Sequence, residues 1–98
     1  PAMTMEQARH YIRDTGNLLI IDVRSRKEFF RGHLDHALNI PIHSFPHLVK
    51  TIPKDFPVLL YCFEGYRSLQ AYKLLRRLRP DIKSIRYMAG QFVIAPER

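Results

Sequence analysis

The sequence predicts an α/β fold built around a small, mainly parallel central sheet. Two observations carry this. Short apolar runs of strand length alternate with helical stretches between residues 18 and 87, the order expected when each crossover helix returns the chain for another parallel strand. The run at 18–23 is continuously apolar rather than alternating, as strands covered on both faces read. A length of 98 residues fits one domain, taken as 1–98, and a domain of this size buries roughly 60–65% of its unfolded surface.

Each element follows from local signals. Thr4 is placed to cap a first helix with Met5, Ala8, Tyr11 and Ile12 on its apolar side, stopped by Gly16 and Asn17. The strand at 18–23 comes next and closes on Asp22-Val23-Arg24. Ser25 and Glu28 have capping-box spacing, so a short helix starts at Ser25 and ends at Gly32. Residues 37–40 read as a brief strand stopped by Pro41. A helix is expected over 44–51, with Pro46 tolerated in its first turn. Residues 57–61, Pro-Val-Leu-Leu-Tyr, are the most strand-like run, and Cys62 stands at its carboxyl end. An amphipathic helix over 68–78 should turn Leu69, Tyr72, Leu75 and Leu78 inward and Lys73, Arg76 and Arg77 outward. Pro80 breaks it, and residues 84–87 form a last strand. Pro1-Ala2-Met3 is assigned no element and reads as a remnant ahead of a chosen start.

Composition narrows the function. No apolar run approaches the ~20 residues of a spanning helix, and no signal-peptide pattern opens the chain. A leader removed upstream would leave the same start, so the compartment stays open, with the cytoplasm favoured over export. One cysteine forms no internal disulfide and is too few for a thiolate metal site. The formal net charge is +7, a balance compatible with small anionic substrates or with a solvated basic helix face. No basic motif interleaved with aromatics points to nucleic acid.

The chemistry concentrates in Cys62-Phe63-Glu64-Gly65-Tyr66-Arg67-Ser68, between a buried strand and a helix start. Reactive groups in α/β sheets collect outside the carboxyl ends of strands. Gly65 permits a tight turn, and a compact loop entering a helix can aim successive N–H groups at one point. With Arg67 nearby, that field favours a nucleophilic thiolate that a donor can reach. A cysteine ending an apolar strand also reads as a small buried hydrophobe.

Two motifs in this order resemble the rhodanese-like domain family over about residues 19–93. The first is Ile21-Asp22-Val23-Arg24 with Glu28-Phe29, Gly32-His33-Leu34, Ala37 and Asn39-Ile40-Pro41; the second is the 62–68 loop. The resemblance implies a three-layer α/β/α domain and a sulfurtransferase without cofactor or metal. Cys62 would take sulfane sulfur from a small anionic donor such as thiosulfate and pass it, as a persulfide, to a thiol or protein acceptor. Phe63, Glu64, Gly65, Tyr66, Arg67 and Ser68 would bind the substrate, with Arg67 at the donor's oxyanion end and Asp22 and Arg24 in support. Glu64 opposes a dianionic donor unless it points outward or pairs with Arg67. The family commonly has glycine where His36 stands, and a glycine pair where Ala89-Gly90 stands.

Other readings remain beside it. Cysteine phosphatases and arsenate reductases resemble this loop but place five residues between Cys and Arg, where this chain has four, Phe63 to Tyr66. A rhodanese-like domain that binds a partner without catalysis is the other alternative. His33 and His36 with Cys62 lack a fourth zinc ligand, and His33 is expected to order its turn by a hydrogen bond. Phe63, Tyr66 and Phe92 would wall a pocket or simply pack.

Overall fold

The computed structural model describes residues 1–63 and 66–89. Among the described residues, five parallel strands form one sheet: β1 (Ala2–Met3), β2 (Leu19–Asp22), β3 (Leu38–Asn39), β4 (Val58–Tyr61) and β5 (Ile85–Met88), in the order β1-β5-β4-β2-β3. β2 and β4 are aligned from Leu19 opposite Val58 to Asp22 opposite Tyr61. The α-helices among the described residues are α1 (Met5–Asp14), α2 (Arg26–Arg31), α3 (Phe45–Leu48) and α4 (Tyr66–Leu78).

Side chains alternate across the central strands, and this divides the core into two clusters. Val58, Leu60 and Cys62 join Ile21 beneath α3 and α4, against Phe45, Val49, Ala71, Tyr72 and Leu75. Ile20, Leu59 and Tyr61 face the other way, with Met3, Ala8 and Met88 against α1. The result is the expected three layers. Each fully buried aliphatic or aromatic side chain contributes about 1.5–3 kcal/mol of transfer free energy.

Thr4 caps α1 as expected, there as part of a full capping box, and the capping box read at Ser25 and Glu28 forms in α2. Gln7 N–H donates to Thr4 Oγ1 at 3.1 Å and Thr4 N–H to Gln7 Oε1 at 3.0 Å. In α2, Glu28 N–H donates to Ser25 Oγ at 3.2 Å and Ser25 N–H to Glu28 Oε1 at 3.1 Å. Gly32 ends α2 at φ 153° and ψ 140°, a conformation essentially confined to glycine.

Four expectations change. The helix over 44–51 is a short α-helix, α3, between two 3₁₀ turns, Ile42–Ser44 and Val49–Thr51. No side chain caps any of the three, and Pro46 sits in the first turn of α3. α4 begins at Tyr66, two residues before the expected start, and its buried face is Ser68, Ala71, Tyr72 and Leu75. Leu78 is 39% exposed, so the inward face ends at Leu75. Residues 2–3 form an edge strand, with Ala2 opposite Tyr87 and Met3 opposite Met88; a strand this short carries no periodicity to read.

The connection after β2 runs outward to β3, whereas the one after β4 runs the other way to β5. The sheet therefore switches direction between β2 and β4, and the crevice at their carboxyl ends is where such folds bind ligands. Val23-Arg24 and Cys62-Phe63 are the residues that directly follow β2 and β4.

Candidate active site

On the β2 side, Arg24 and Asp22 make a buried ion pair. Arg24 Nη2 lies 2.6 Å from Asp22 Oδ2, and Nε contacts both carboxylate oxygens at 3.0 and 3.1 Å. The side chains are 1% and 0% exposed. The Arg24 N–H also donates to Asp22 Oδ1 at 2.9 Å, and Nη2 reaches the Gly32 carbonyl at 2.7 Å, fastening the end of α2 to the end of β2. The guanidinium lies 4.4 Å from the Phe63 ring centroid and 5.9 Å from that of Tyr61, within cation–π range. Asn39 Nδ2 donates to the Asp22 and Arg24 carbonyls, both at 3.0 Å. Burial pushes the Tyr61 phenol far above its usual range, and its oxygen accepts from Leu34 N–H at 3.1 Å. These bonds tie three loops at one pole of the sheet.

On the β4 side, Cys62 continues a strand whose four residues are all buried. The Ser68 N–H, in the first turn of α4, donates to Cys62 Sγ at 3.2 Å. A main-chain donor at the positive end of a 13-residue helix stabilises negative charge on the atom it faces. The Ser68 hydroxyl donates to the Met88 carbonyl at 2.9 Å, which fixes this helix start against β5. Cys62 itself is 1% exposed. The expectation of a readily reached sulfur is thereby corrected: burial on both faces of β4 extends through Cys62, while the expected donor does point at Sγ.

Arg67 does not extend freely toward the crevice. Its Nη1 and Nη2 donate to Glu28 Oε1 and Oε2 at 2.8 and 3.0 Å, a two-bonded pair between α4 and α2. The Arg67 hydrogen bonds hold the Glu28 carboxyl down to about 2, and Glu28 in turn raises the guanidinium. Sequence reasoning left Glu28 as a helix cap and missed this second duty; nothing local signals a partner 39 residues away. Phe63 is 39% exposed and Tyr66 is exposed, its hydroxyl 3.2 Å from Gln70 Nε2. Glu64, Gly65, Gly90 and Phe92 lie outside the described residues.

His33 orders its turn as expected, with Nδ1 donating to the Phe29 carbonyl at 2.9 Å and its ring stacked on Phe29 at 3.7 Å. Among the described residues no three of His, Cys, Asp and Glu gather as a metal site, and no helix is long and apolar enough to cross a membrane.

The family model of the rhodanese-like domain matches residues 4–93. A sulfurtransferase from Allochromatium vinosum is 38% identical over 66 residues, which are 67% of this chain and 62% of that protein. The chain therefore spans less than two thirds of that relative's length. A rhodanese-related protein from Thermoplasma volcanium superposes with a TM-score of 0.80 at 21% identity, covering 98% of each chain, a likeness of fold. A human single-domain sulfurtransferase superposes with a TM-score of 0.72 at 27% identity, over 94% of this chain and 91% of that one.

Proposed function

This chain belongs to the rhodanese-like domain family, and from that premise we propose that it is a sulfurtransferase carrying sulfane sulfur as a persulfide on Cys62. The observation that carries this reading is the Ser68 N–H directed at Sγ from the first turn of α4. A thiolate and the persulfide that succeeds it both place negative charge near that donor. Preorganised donors of this kind stabilise charge without reorganising during reaction.

In the first step the Cys62 thiolate attacks the outer sulfur of a donor such as thiosulfate. A sulfur–sulfur bond forms to Cys62, the donor's own sulfur–sulfur bond breaks, and its electron pair leaves with sulfite. Thiolate and thiosulfate carry three negative charges together, and so do persulfide and sulfite; no proton is consumed. In the second step a thiophilic acceptor (cyanide in the assay, a thiol or protein in the cell) attacks the terminal sulfur and restores the thiolate. Ser68 is a positioning residue in this scheme, since its hydroxyl fixes the helix start whose N–H meets the sulfur. Arg67 meets the donor's oxyanion end only in competition with Glu28.

The enclosure of Cys62 favours a second reading, a rhodanese-like domain that binds a partner and performs no transfer. Intact-mass measurement after incubation with thiosulfate separates the two. Sulfur transfer predicts that the wild-type protein gains the mass of one sulfur atom and loses it to cyanide, while Cys62→Ser gains none. An unchanged wild-type mass with several sulfane donors would leave the binding module standing.

A further inference from the structure

Because the strands run parallel, their amino-terminal ends share the pole opposite the crevice. A cavity of about 250 Å³ opens there, between the end of α4 and the start of β5, lined by Arg76, Arg79, Pro80, Ile82, Lys83 and Ile85. Ser68 and Arg76 lie on α4 about 12 Å apart along its axis, which separates this cavity from the Cys62 sulfur. One of its three cations is spent. Arg79 gives Nε and Nη2 to Asp81 at 2.9 and 2.7 Å and Nη1 to the Val49 carbonyl at 2.7 Å. Arg76 and Lys83 are exposed and have no ion pair among the described residues. Arg76 is nonetheless held in place: Nη1 donates to the Tyr72 hydroxyl at 2.8 Å, and the guanidinium lies 5.7 Å from the Tyr72 ring centroid. A cation in the last turn of a helix also answers the negative helix end, which gives Arg76 a structural duty. Lys83 stands beyond the end of α4 at Leu78, where that effect has fallen away.

We propose that this cavity is a ligand site for a small organic dianion of the phosphate-monoester class. Two uncompensated cations match a dianion in charge. A guanidinium and an ammonium present donors only, as the oxygens of a phosphate group require. Pro80, Ile82 and Ile85 supply an apolar wall for the carbon part of the ester. The volume lies below the roughly 300–1,000 Å³ of sites that take drug-sized ligands, so the ligand is small; an acidic protein segment would spread over an open face instead. The site stands apart from the sulfurtransferase reading and does not depend on it.

The test is titration of the full chain at constant ionic strength with phenyl phosphate, inorganic phosphate, benzenesulfonate and a polyglutamate peptide, followed by the backbone amide resonances. Phenyl phosphate should shift the Ile82, Lys83 and Ile85 amides saturably. It should bind at least about fivefold more tightly than benzenesulfonate, which keeps the ring with a single charge, and than inorganic phosphate, which lacks the ring. Lys83→Gln and Arg76→Gln should each weaken phenyl phosphate about tenfold, as loss of a charge-assisted hydrogen bond does. Arg9→Gln, which removes an exposed charge on α1, should leave its affinity within about twofold. Lys83 makes no hydrogen bond or ion pair to the described residues, so its variant decides the matter if Arg76→Gln, which loses the Tyr72 contact, does not fold. Shifts that never saturate, shifts confined to residues around Cys62, equal binding of benzenesulfonate, or an affinity unmoved by Lys83→Gln overturns the site. Polyglutamate binding at these residues where phenyl phosphate does not bind overturns it too, in favour of a protein-docking face.

Discussion

Glu28 and Arg67, 39 residues apart in the chain, meet through two N–H···O bonds of 2.8 and 3.0 Å. The pair joins the helix after β2 to the helix after β4 and so braces the crevice from both sides. It also has a pH signature. The folded-state value of Glu28, about 2, lies below its ordinary 4.5. A carboxylate depressed on folding stabilises the protein fully above its unfolded value and loses that contribution as pH falls. Between pH 4.5 and 2 the wild-type protein should lose about 1–2 kcal/mol more stability than Glu28→Gln, allowing for solvent screening of a part-exposed pair. Urea denaturation of both proteins across this window measures it; parallel curves would remove the pair from the stability of the fold.

The Asp22–Arg24 pair should behave differently, because it is sealed. Removing one member of a buried pair leaves the other charge without compensation, at a cost of about 3–5 kcal/mol. Arg24→Ala additionally frees the Gly32 carbonyl and uncovers the Phe63 ring. Thermal melts should show a large loss for Asp22→Ala and for Arg24→Ala, and a drop under 1 kcal/mol in either would contradict the burial described.

His36 holds φ at 66°, in the left-handed region where a side chain costs about 1–2 kcal/mol over glycine. Glycine in turn loses more backbone freedom on folding, about 0.5–1 kcal/mol. His36→Gly should therefore stabilise the protein by a few tenths to about 1 kcal/mol. Chemical denaturation reads this directly, and destabilisation would show that the imidazole makes a contact worth more than the backbone strain.

Leu75 and Leu78 sit one turn apart on α4 but differ in environment, Leu75 fully buried and Leu78 39% exposed. Leu75→Ala should cost about 2–5 kcal/mol through lost transfer energy and a residual cavity. Leu78→Ala should cost under about 1 kcal/mol, as surface substitutions do. Equal losses would return Leu78 to the core, where periodicity alone had placed it.

Local signals determined a good deal of this protein. The two capping boxes, the glycine at the end of α2, the buried run of β4 and the place of Cys62 at its end all depend on neighbours a few residues away. Such interactions are written in spacing, so the α/β order and the candidate nucleophile were legible before any coordinates. Tertiary structure decided what depends on distant partners. The pairing of Ala2–Met3 with β5, the capture of Arg67 by Glu28 and the enclosure of the sulfur each arise only once separate segments are packed together. Sequence periodicity records which face of an element turns inward; it holds no record of which side chain on another element will be waiting there, and that choice paired Arg67 with Glu28.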